Sequence, residues 1–249
     1  MVVLVLGAGG QLGQSIQFIA NDYPEIQFNF FSRLDLDITN ELGLKSIFNS
    51  LKPNFCVNAS AYTAVDKSES EQEQAHLINV VGVRNIAQMC QDFDTTLIHV
   101  STDFVFDGSK NSPYTEDDVT NPKGVYGKTK REGELEIIRI LKKYFIIRTS
   151  WLYSQFNANF MKTMLKLAQD RDTISVVNDQ IGTPTHAIDL ADVIIKVILS
   201  SSTNYGIYHF SNEGKASWYD FAKKIFEVNK IKINLKPIST SEFPTPAQR

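Results

Sequence analysis

The chain has 249 residues, which is enough for one large α/β domain or for a main domain with a small addition. Its formal net charge of −3 provides no basic surface, so we do not expect it to bind nucleic acid. It has no apolar stretch approaching the roughly 18 residues of a membrane span. Because its first apolar run is short and lacks preceding basic residues, we do not expect that run to be a signal peptide. We expect the two cysteines to be core residues in a reducing compartment. We therefore predict a cytoplasmic protein without membrane contact.

Short apolar runs alternate with longer segments in which apolar residues recur every three or four positions. The runs predict buried strands at Val2–Leu6, Gln27–Phe31, Phe55–Asn58, Thr96–Ser101 and Phe145–Arg148. The longer segments predict helices at Gln11–Ala20, Asn40–Leu51, Glu73–Phe93 and Val125–Lys143. Because the strands are apolar on both faces, the alternation indicates an α/β fold, a doubly wound parallel sheet covered by helices.

The pattern is less regular beyond residue 150. It predicts helices at Phe156–Gln169, Ile188–Leu199 and Trp218–Val228, and strands at Thr173–Val177 and Tyr208–Phe210. We expect residues 1–150 to bind a dinucleotide, and residues 151–249 to complete the sheet and form a smaller C-terminal substrate-binding lobe over its carboxyl edge. Because the sequence finishes in an irregular tail, Phe243–Arg249, we expect a chain truncated at its C-terminus.

A glycine-rich turn links the first strand to the first helix. Gly7, Gly10 and Gly13 would permit a tight turn, close approach of the backbone to a pyrophosphate, and close packing of helix on sheet. The phosphates would lie at the positive end of the helix dipole. Glycine also simply ends strands, but this strand–turn–helix context favours a dinucleotide site.

The second strand ends where the adenosine ribose of a dinucleotide would lie. Ser32 and Arg33 stand there instead of an acid, and a hydroxyl beside a guanidinium suits a 2′-phosphate better than a bare hydroxyl. We therefore expect NADPH, with NADH as an alternative cofactor. Arg33 could instead be a solvated loop residue. Asp37 and Ile38 follow and could frame the adenine.

Tyr126 and Lys130 are four residues apart at the start of a predicted helix, so their side chains share one face. A tyrosine ordinarily ionises near pH 10, and we expect the lysine cation to lower the pKa of Tyr126 towards the working range. Tyr126 could then protonate a carbonyl oxygen as a hydride arrives at its carbon. This spacing often arises by chance, but the hydroxyl residues Ser101 and Thr102 end the fourth strand and could hydrogen-bond the same oxygen.

With these residues in view, the chain resembles the dTDP-4-dehydrorhamnose reductases, which are extended short-chain dehydrogenases, over nearly its whole length. The segments that carry the resemblance are Gly7–Gly13, Val57–Lys67, Ser101–Gly108, Tyr126–Lys130, Arg148–Tyr153 and Asp179–Thr185. The resemblance implies a Rossmann-like fold and the NAD(P)H-dependent reduction of the C4 ketone of dTDP-4-dehydro-L-rhamnose to dTDP-L-rhamnose, a step in the biosynthesis of cell-surface polysaccharide.

The resemblance also implies roles for individual residues. The catalytic residues would be Thr102, Tyr126 and Lys130. The cofactor would contact Gly10, Gln11, Leu12, Asp37, Ile38, Ala61, Tyr62, Thr63, Tyr126 and Lys130, beside Gly7, Gly13, Ser32 and Arg33 from the argument above. The sugar nucleotide would contact Thr102, Asp103 and Trp151, whose ring could pack on the C–H side of a pyranose or could be an ordinary core aromatic.

Some departures and alternatives remain. Ser60 replaces a common alanine and Phe104 a frequent tyrosine. Some relatives bind magnesium through acidic side chains at a dimer contact, but Ile188 falls about where one such acid is expected, so we predict no metal site and leave a homodimer open. A non-catalytic NADP-binding regulatory subunit of the methionine adenosyltransferase type is one alternative, which the intact catalytic residues argue against. A reductase of a related dTDP-4-keto-6-deoxysugar is the other.

Overall fold

The structure is a computed structural model that describes residues 1–248. Its strands are β1 (Val2–Leu6), β2 (Gln27–Phe31), β3 (Phe55–Asn58), β4 (Thr96–Thr102), β5 (Tyr144–Thr149), β6 (Leu152–Tyr153), β7 (Thr173–Val177), β8 (Ile181–Gly182), β9 (Thr185–His186), β10 (Gly206–His209), β11 (Ala216–Ser217) and β12 (Asn234–Ile238). Its α-helices are α1 (Gln11–Ile19), α2 (Glu41–Leu51), α3 (Val65–Ser68), α4 (Gln72–His76), α5 (Val83–Asp92), α6 (Val125–Ile140), α7 (Phe160–Asp170), α8 (Ala187–Ser200) and α9 (Trp218–Val228).

Six parallel strands form the central sheet in the order β10-β5-β4-β3-β1-β2. From β1 the chain first builds outwards to β2 and then crosses to β3 on the other side of β1. The carboxyl ends of β1 and β3 therefore flank the point where the strand order reverses, which is where ligands bind in open α/β sheets. The predicted parallel α/β sheet is confirmed.

Alternate residues of each strand feed two hydrophobic cores, one on each face of the sheet. Leu4 and Leu6 point to the face covered by α2, α5 and α6. Val3 and Val5 point to the opposite face, which α1 and α8 cover. Burying an aliphatic side chain of this size contributes about 1.5–3 kcal/mol, so both faces stabilise the sheet and leave its carboxyl edge free for a ligand.

A smaller lobe lies over that edge. It consists of α7, α9 and the parallel pair β7–β12, with Met164, Ile174 and Phe226 in its own core. β12 was not predicted from the sequence. Only some of its residues are apolar, and it includes Pro237, which a strand tolerates at the edge of a sheet.

Two predicted helices differ from the structure. The helix expected at Glu73–Phe93 contains a π-helical turn at Leu77–Gly82, between α4 and α5. The helix expected from Phe156 begins only at Phe160, because the Asn159 side chain accepts a hydrogen bond from the Lys162 N–H and caps it. The spacing of apolar residues does not predict local caps and turns of this kind.

Candidate active site

A cleft of about 1050 Å³ separates the carboxyl edge of the sheet from the smaller lobe. The turns and strand ends that follow β1, β3, β4 and β5 form one wall, and α7, β7 and the start of α9 form the other. Phe243 and Thr245 of the C-terminal tail also line it. The predicted site residues that line this cleft are Gly10, Gln11, Leu12, Ala61, Thr63, Thr102, Asp103, Tyr126, Lys130 and Trp151.

The glycine turn is built so that the backbone closes tightly at the base of the cleft. Gly7 has φ +82°, in the left-handed region, and a Cβ there would lie 2.7 Å from the backbone of Ser60. A Cβ on Gly13 would lie 2.5 Å from Ala8 Cα. The N-terminus of α1, where Gly10 is the N-cap residue and provides no side-chain cap, is thereby left facing the cleft. Free backbone N–H groups and the helix dipole at such an end suit a pyrophosphate.

The residues after β2 lie outside the set that lines the cleft. The Ser32 hydroxyl donates to Asp35 at 2.6 Å, and the exposed Arg33 lies 3.9 Å from Asp37. Ile38 is buried in the core, where a Cβ on Gly82 would lie 2.6 Å from its Cγ1. The side chain of Ile38 therefore belongs to the core, and its predicted contact with the adenine stays a prediction.

The side chain of Asn79 holds the loop after β3 in place. Asn79 is not among the site residues predicted from the sequence. The buried Asn79 side chain accepts from the Tyr62 N–H at 2.9 Å and donates to the Tyr62 carbonyl and to Thr129 Oγ1 of α6. The Tyr62 hydroxyl donates to Glu71 at 2.6 Å, which raises the pKa of Tyr62 to about 12. Tyr62 does not line the cleft, whereas its neighbours Ala61 and Thr63 do. The only sequence signal for Asn79 is a polar residue in an apolar helical pattern.

Thr102, Asp103 and Tyr126 all line the cleft and interact with one another. Thr102 ends β4, and its Oγ1 donates to Asp103 Oδ1 at 3.0 Å and accepts from the Phe104 N–H. Burial raises the pKa of Asp103 to about 6, against hydrogen bonds that favour the carboxylate. Tyr126 lies in the first turn of α6, and its ring contacts Phe104 edge-on. A hydroxyl, a carboxyl and a phenol therefore face one small volume.

The expected lowering of the pKa of Tyr126 is contradicted. Burial raises the pKa of Tyr126 to about 12, the Asp103 carboxylate adds to the increase, and a hydrogen bond with Thr102 opposes it. The Lys130 ammonium does not offset this, because Nζ donates to the Val100 carbonyl at 2.8 Å and lies 3.3 Å from His99 Nε2. Burial lowers the pKa of Lys130 to about 8. The phenol is therefore protonated at neutral pH, as a proton donor must be.

Trp151 has a more constrained environment than the sequence indicated. Its backbone lies in the left-handed region, at φ +46°, and its ring stacks on Trp218 with 3.5 Å between centroids and 10° between planes. Trp218 therefore covers one face of the Trp151 ring, and Gly182 packs so closely on the same ring that a Cβ there would lie 2.5 Å from Trp151 Cε2. Trp218 and Phe160 also line the cleft, although the sequence pattern predicts only helix positions for them.

Two further polar residues shape the cleft. The Gln11 side chain donates to the Leu152 carbonyl and accepts from Ser154 and Asn159, so it joins the glycine turn to the smaller lobe. Contact of Gln11 with a dinucleotide would therefore involve its backbone. Arg171, which follows α7, is an exposed cation that lines the cleft from the lobe side. Its sequence position gave no indication of this.

Residues 1–248 contain no group of three or more His, Cys, Asp or Glu side chains that could hold a metal ion. Over the same residues, no helix combines the length and the apolar character that a membrane span requires.

Comparison with known proteins shows the family of the chain. A family model, the RmlD substrate binding domain, matches residues 1–249. A dTDP-4-dehydrorhamnose reductase of Aggregatibacter actinomycetemcomitans is 43% identical over 99% of this chain and 87% of its own length. The chain belongs to the dTDP-4-dehydrorhamnose reductase family. The resemblance predicted from its motifs is confirmed.

Solved structures of dTDP-4-dehydrorhamnose reductases have the same fold. The enzyme of Clostridium acetobutylicum matches with a TM-score of 0.96 and 44% identity, over 100% of this chain and 88% of that one. The enzyme of Bacillus anthracis, solved in complex with NADP, matches with a TM-score of 0.96 and 42% identity, over 100% and 87%. The cleft described above therefore lies in a fold that solved dTDP-4-dehydrorhamnose reductases share.

Proposed function

We propose that this protein reduces the C4 ketone of dTDP-4-dehydro-L-rhamnose to the alcohol of dTDP-L-rhamnose, with NADPH as the reductant and NADH as an alternative. The observation that carries the proposal is the shared cleft: the glycine turn at the reversal point of the sheet and the side chains of Thr102, Tyr126 and Lys130 all line it. Reductases of this name are similar to the chain over nearly its full length, and one was solved with NADP.

The residues present fit a dinucleotide. The tight approaches at Gly7 and Gly13 leave no room for a side chain, and the N-terminus of α1 faces the cleft with Gly10, Gln11 and Leu12 around it. These residues would hold the pyrophosphate, while Ala61 and Thr63 would border the path towards Tyr126. When bound, the nicotinamide supplies the hydride that adds to C4.

Side chains of this protein would donate the proton and stabilise the charges that develop during the reaction. Tyr126 enters the reaction as a neutral phenol and would give its proton to the C4 oxygen as negative charge develops there. The Thr102 hydroxyl would turn from Asp103 to the same oxygen and steady it. Lys130 is one helical turn from Tyr126, and its ammonium would stabilise the phenolate that remains.

The lobe side of the cleft would hold the rest of the sugar nucleotide. Asp103 can accept a hydrogen bond from a sugar hydroxyl, and the part of the Trp151 ring that lines the cleft offers an apolar surface to a pyranose. Arg171 is placed to pair with the diphosphate, because a guanidinium binds phosphate oxygens in a bidentate way. Since both reactants are water-soluble, we expect the protein to act in the cytoplasm, without a nucleic acid partner; a homodimer stays open.

The test is to incubate the protein with dTDP-4-dehydrorhamnose and either NADPH or NADH, and to identify the product. Oxidation of the nicotinamide that depends on the sugar, with dTDP-L-rhamnose as product, is expected. Turnover only of an epimeric keto-sugar would reassign the substrate. NADP(H) binding with no turnover of any dTDP-keto sugar would instead favour a regulatory protein, which would not need Thr102, Tyr126 and Lys130.

A further inference from the structure

A chain of buried polar groups runs beneath the cleft from β3 through β4 to α6. Asn58 Nδ2 lies 3.0 Å from His99 Nδ1, and His99 Nε2 lies 3.3 Å from Lys130 Nζ. All three side chains are almost fully buried. Asn58 and His99 are paired in register on neighbouring strands, so the sheet itself sets their contact. The reaction proposed above uses Lys130 but neither Asn58 nor His99.

The position of the proton on His99 follows from the contacts of Asn58. The Ser60 N–H donates to Asn58 Oδ1 at 3.0 Å, which identifies that atom as the amide oxygen and turns the NH₂ group towards His99. An NH₂ group can only donate, so His99 Nδ1 must accept. Burial keeps the imidazole neutral by lowering the pKa of His99 well below its usual range. A neutral imidazole has one N–H, which therefore lies on Nε2.

The Nε2–H then points at Lys130 Nζ. A charged ammonium has no lone pair to accept this hydrogen, whereas a neutral amine accepts it while still donating to the Val100 carbonyl at 2.8 Å. The tautomer of His99 therefore disfavours the charged form of Lys130, in the same direction as burial.

We propose that Asn58 and His99 are positioning residues that fix the imidazole as its Nε2–H tautomer and thereby favour the neutral amine of Lys130 over its ammonium. A lysine that gains and loses a proton can return one to the Tyr126 phenolate after each turnover, which a permanently charged side chain cannot do. The effect on turnover rests on the proposed function; the tautomer and the proton occupancy of Lys130 do not.

Other charged groups act on the same lysine. Glu134, on the next turn of α6, opposes burial and favours the ammonium. Its carboxylate is itself held by Arg148 of β5, 2.8 Å away, and by Arg131. From the cleft side, Tyr126 is neutral until it gives up its proton, and Asp103 carries the remaining acidic group. Because none of these contacts His99, a change at Asn58 leaves them in place.

The first test is nitrogen NMR of the protein labelled with ¹⁵N-histidine, with no ligand added and with His99→Gln used to assign the His99 signals. At neutral pH we expect a protonated Nε2 and an unprotonated Nδ1. A protonated Nδ1 would overturn the proposal. This measurement requires no turnover and is made on the unaltered protein, so it is independent of the reductase assignment.

The second test is Asn58→Asp. Its carboxylate can still accept from the Ser60 N–H, but it now accepts from His99 as well, so the proton should move to Nδ1 and Nε2 should accept from a charged Lys130. Wild-type kcat/KM should fall above about pH 8 as Lys130 loses its proton, and in the variant this fall should move up by about one pH unit or more.

Asn79→Asp is the matched control, because it also places a carboxylate at a buried asparagine beside α6 but has no contact with His99. It should leave His99 as the Nε2–H tautomer. An unchanged tautomer and an unshifted profile in Asn58→Asp would contradict the proposal. If the protein shows no reductase activity, a ¹⁵Nζ titration of Lys130 in the wild type and in Asn58→Asp gives the same comparison. Failure of the proposed function can therefore be distinguished from failure of the proposed role of Asn58 and His99.

Discussion

The pKa values of Tyr126 and Lys130 are shifted in opposite directions, and burial is the largest cause of both shifts. Loss of water disfavours charge, so the pKa of the phenol rises to about 12 and that of the ammonium falls to about 8. At pH 7 the phenol is neutral, and Lys130 is close to its own titration range. Tyrosine is then ready to donate a proton, and the adjacent cation can stabilise the anion left behind.

Removal of the proton donor provides a prediction at the scale of one residue. Tyr126→Phe keeps the ring and its edge-on contact with Phe104 but loses the hydroxyl. Because a positioned general acid contributes about 10²–10⁴-fold, we expect kcat to fall roughly 100-fold or more while NADPH still binds. Steady-state kinetics and a fluorescence titration with NADPH measure the two effects.

Tyr23→Phe is the matched control, because it removes a hydroxyl that donates to Asp192, away from the cleft. It should remain active. A Tyr126→Phe enzyme with a kcat close to that of this control would remove Tyr126 from the mechanism.

At the scale of one element, the turn between β1 and α1 depends on which glycines are crowded. A Cβ on Gly13 would lie 2.5 Å from Ala8 Cα, whereas a Cβ on Gly9 would lie 3.6 Å from its nearest neighbour, Ser32 Cβ. Gly13→Ala should therefore displace α1 from the turn, lower Tm and weaken NADPH binding, since forced overpacking costs about 1–3 kcal/mol. Gly9→Ala should change neither quantity appreciably. Equal Tm and equal Kd for NADPH in the two variants would show that the close approach at Gly13 has no role.

The end of α7 gives a second prediction for an element. Arg171→Gln removes the lobe-side cation of the cleft, and Lys166→Gln removes a cation on the exposed side of the same helix. A hydrogen bond to a charged group contributes about 1.5–3 kcal/mol, so the KM for the sugar nucleotide should rise about tenfold or more in Arg171→Gln with kcat nearly unchanged. Matching KM values in the two variants would show that Arg171 does not contact the diphosphate.

Across the whole molecule, the sequence predicted what depends on local pattern. The strands Val2–Leu6, Gln27–Phe31 and Phe55–Asn58 have the predicted bounds, because apolar runs enclosed by turn residues leave little freedom. The glycine turn and the spacing of Tyr126 and Lys130 were equally visible. The strand β12 was not, because its pairing with β7 is decided by lobe packing rather than by its own composition.

The environment of each site residue was also beyond the sequence. The stacking of Trp218 on Trp151 joins residues that are far apart in the chain, and only the packed lobe brings them together. The expected net lowering of the pKa of Tyr126 is outweighed by burial, which spacing on a helix does not show. That spacing also does not show that the Val100 carbonyl and His99 hold Lys130. Patterns thus located the site, and tertiary contacts set its electrostatics.

The most direct test of the whole account follows the hydrogen atoms through one turnover. The reaction is run in ordinary water with dTDP-4-dehydrorhamnose and NADPH dideuterated at C4 of the nicotinamide, and the product is examined by NMR. The account predicts one deuterium on C4 of the sugar and none on its new hydroxyl, because the cofactor delivers the hydride and Tyr126 delivers a solvent-derived proton. A rhamnose product without deuterium at C4 would contradict it.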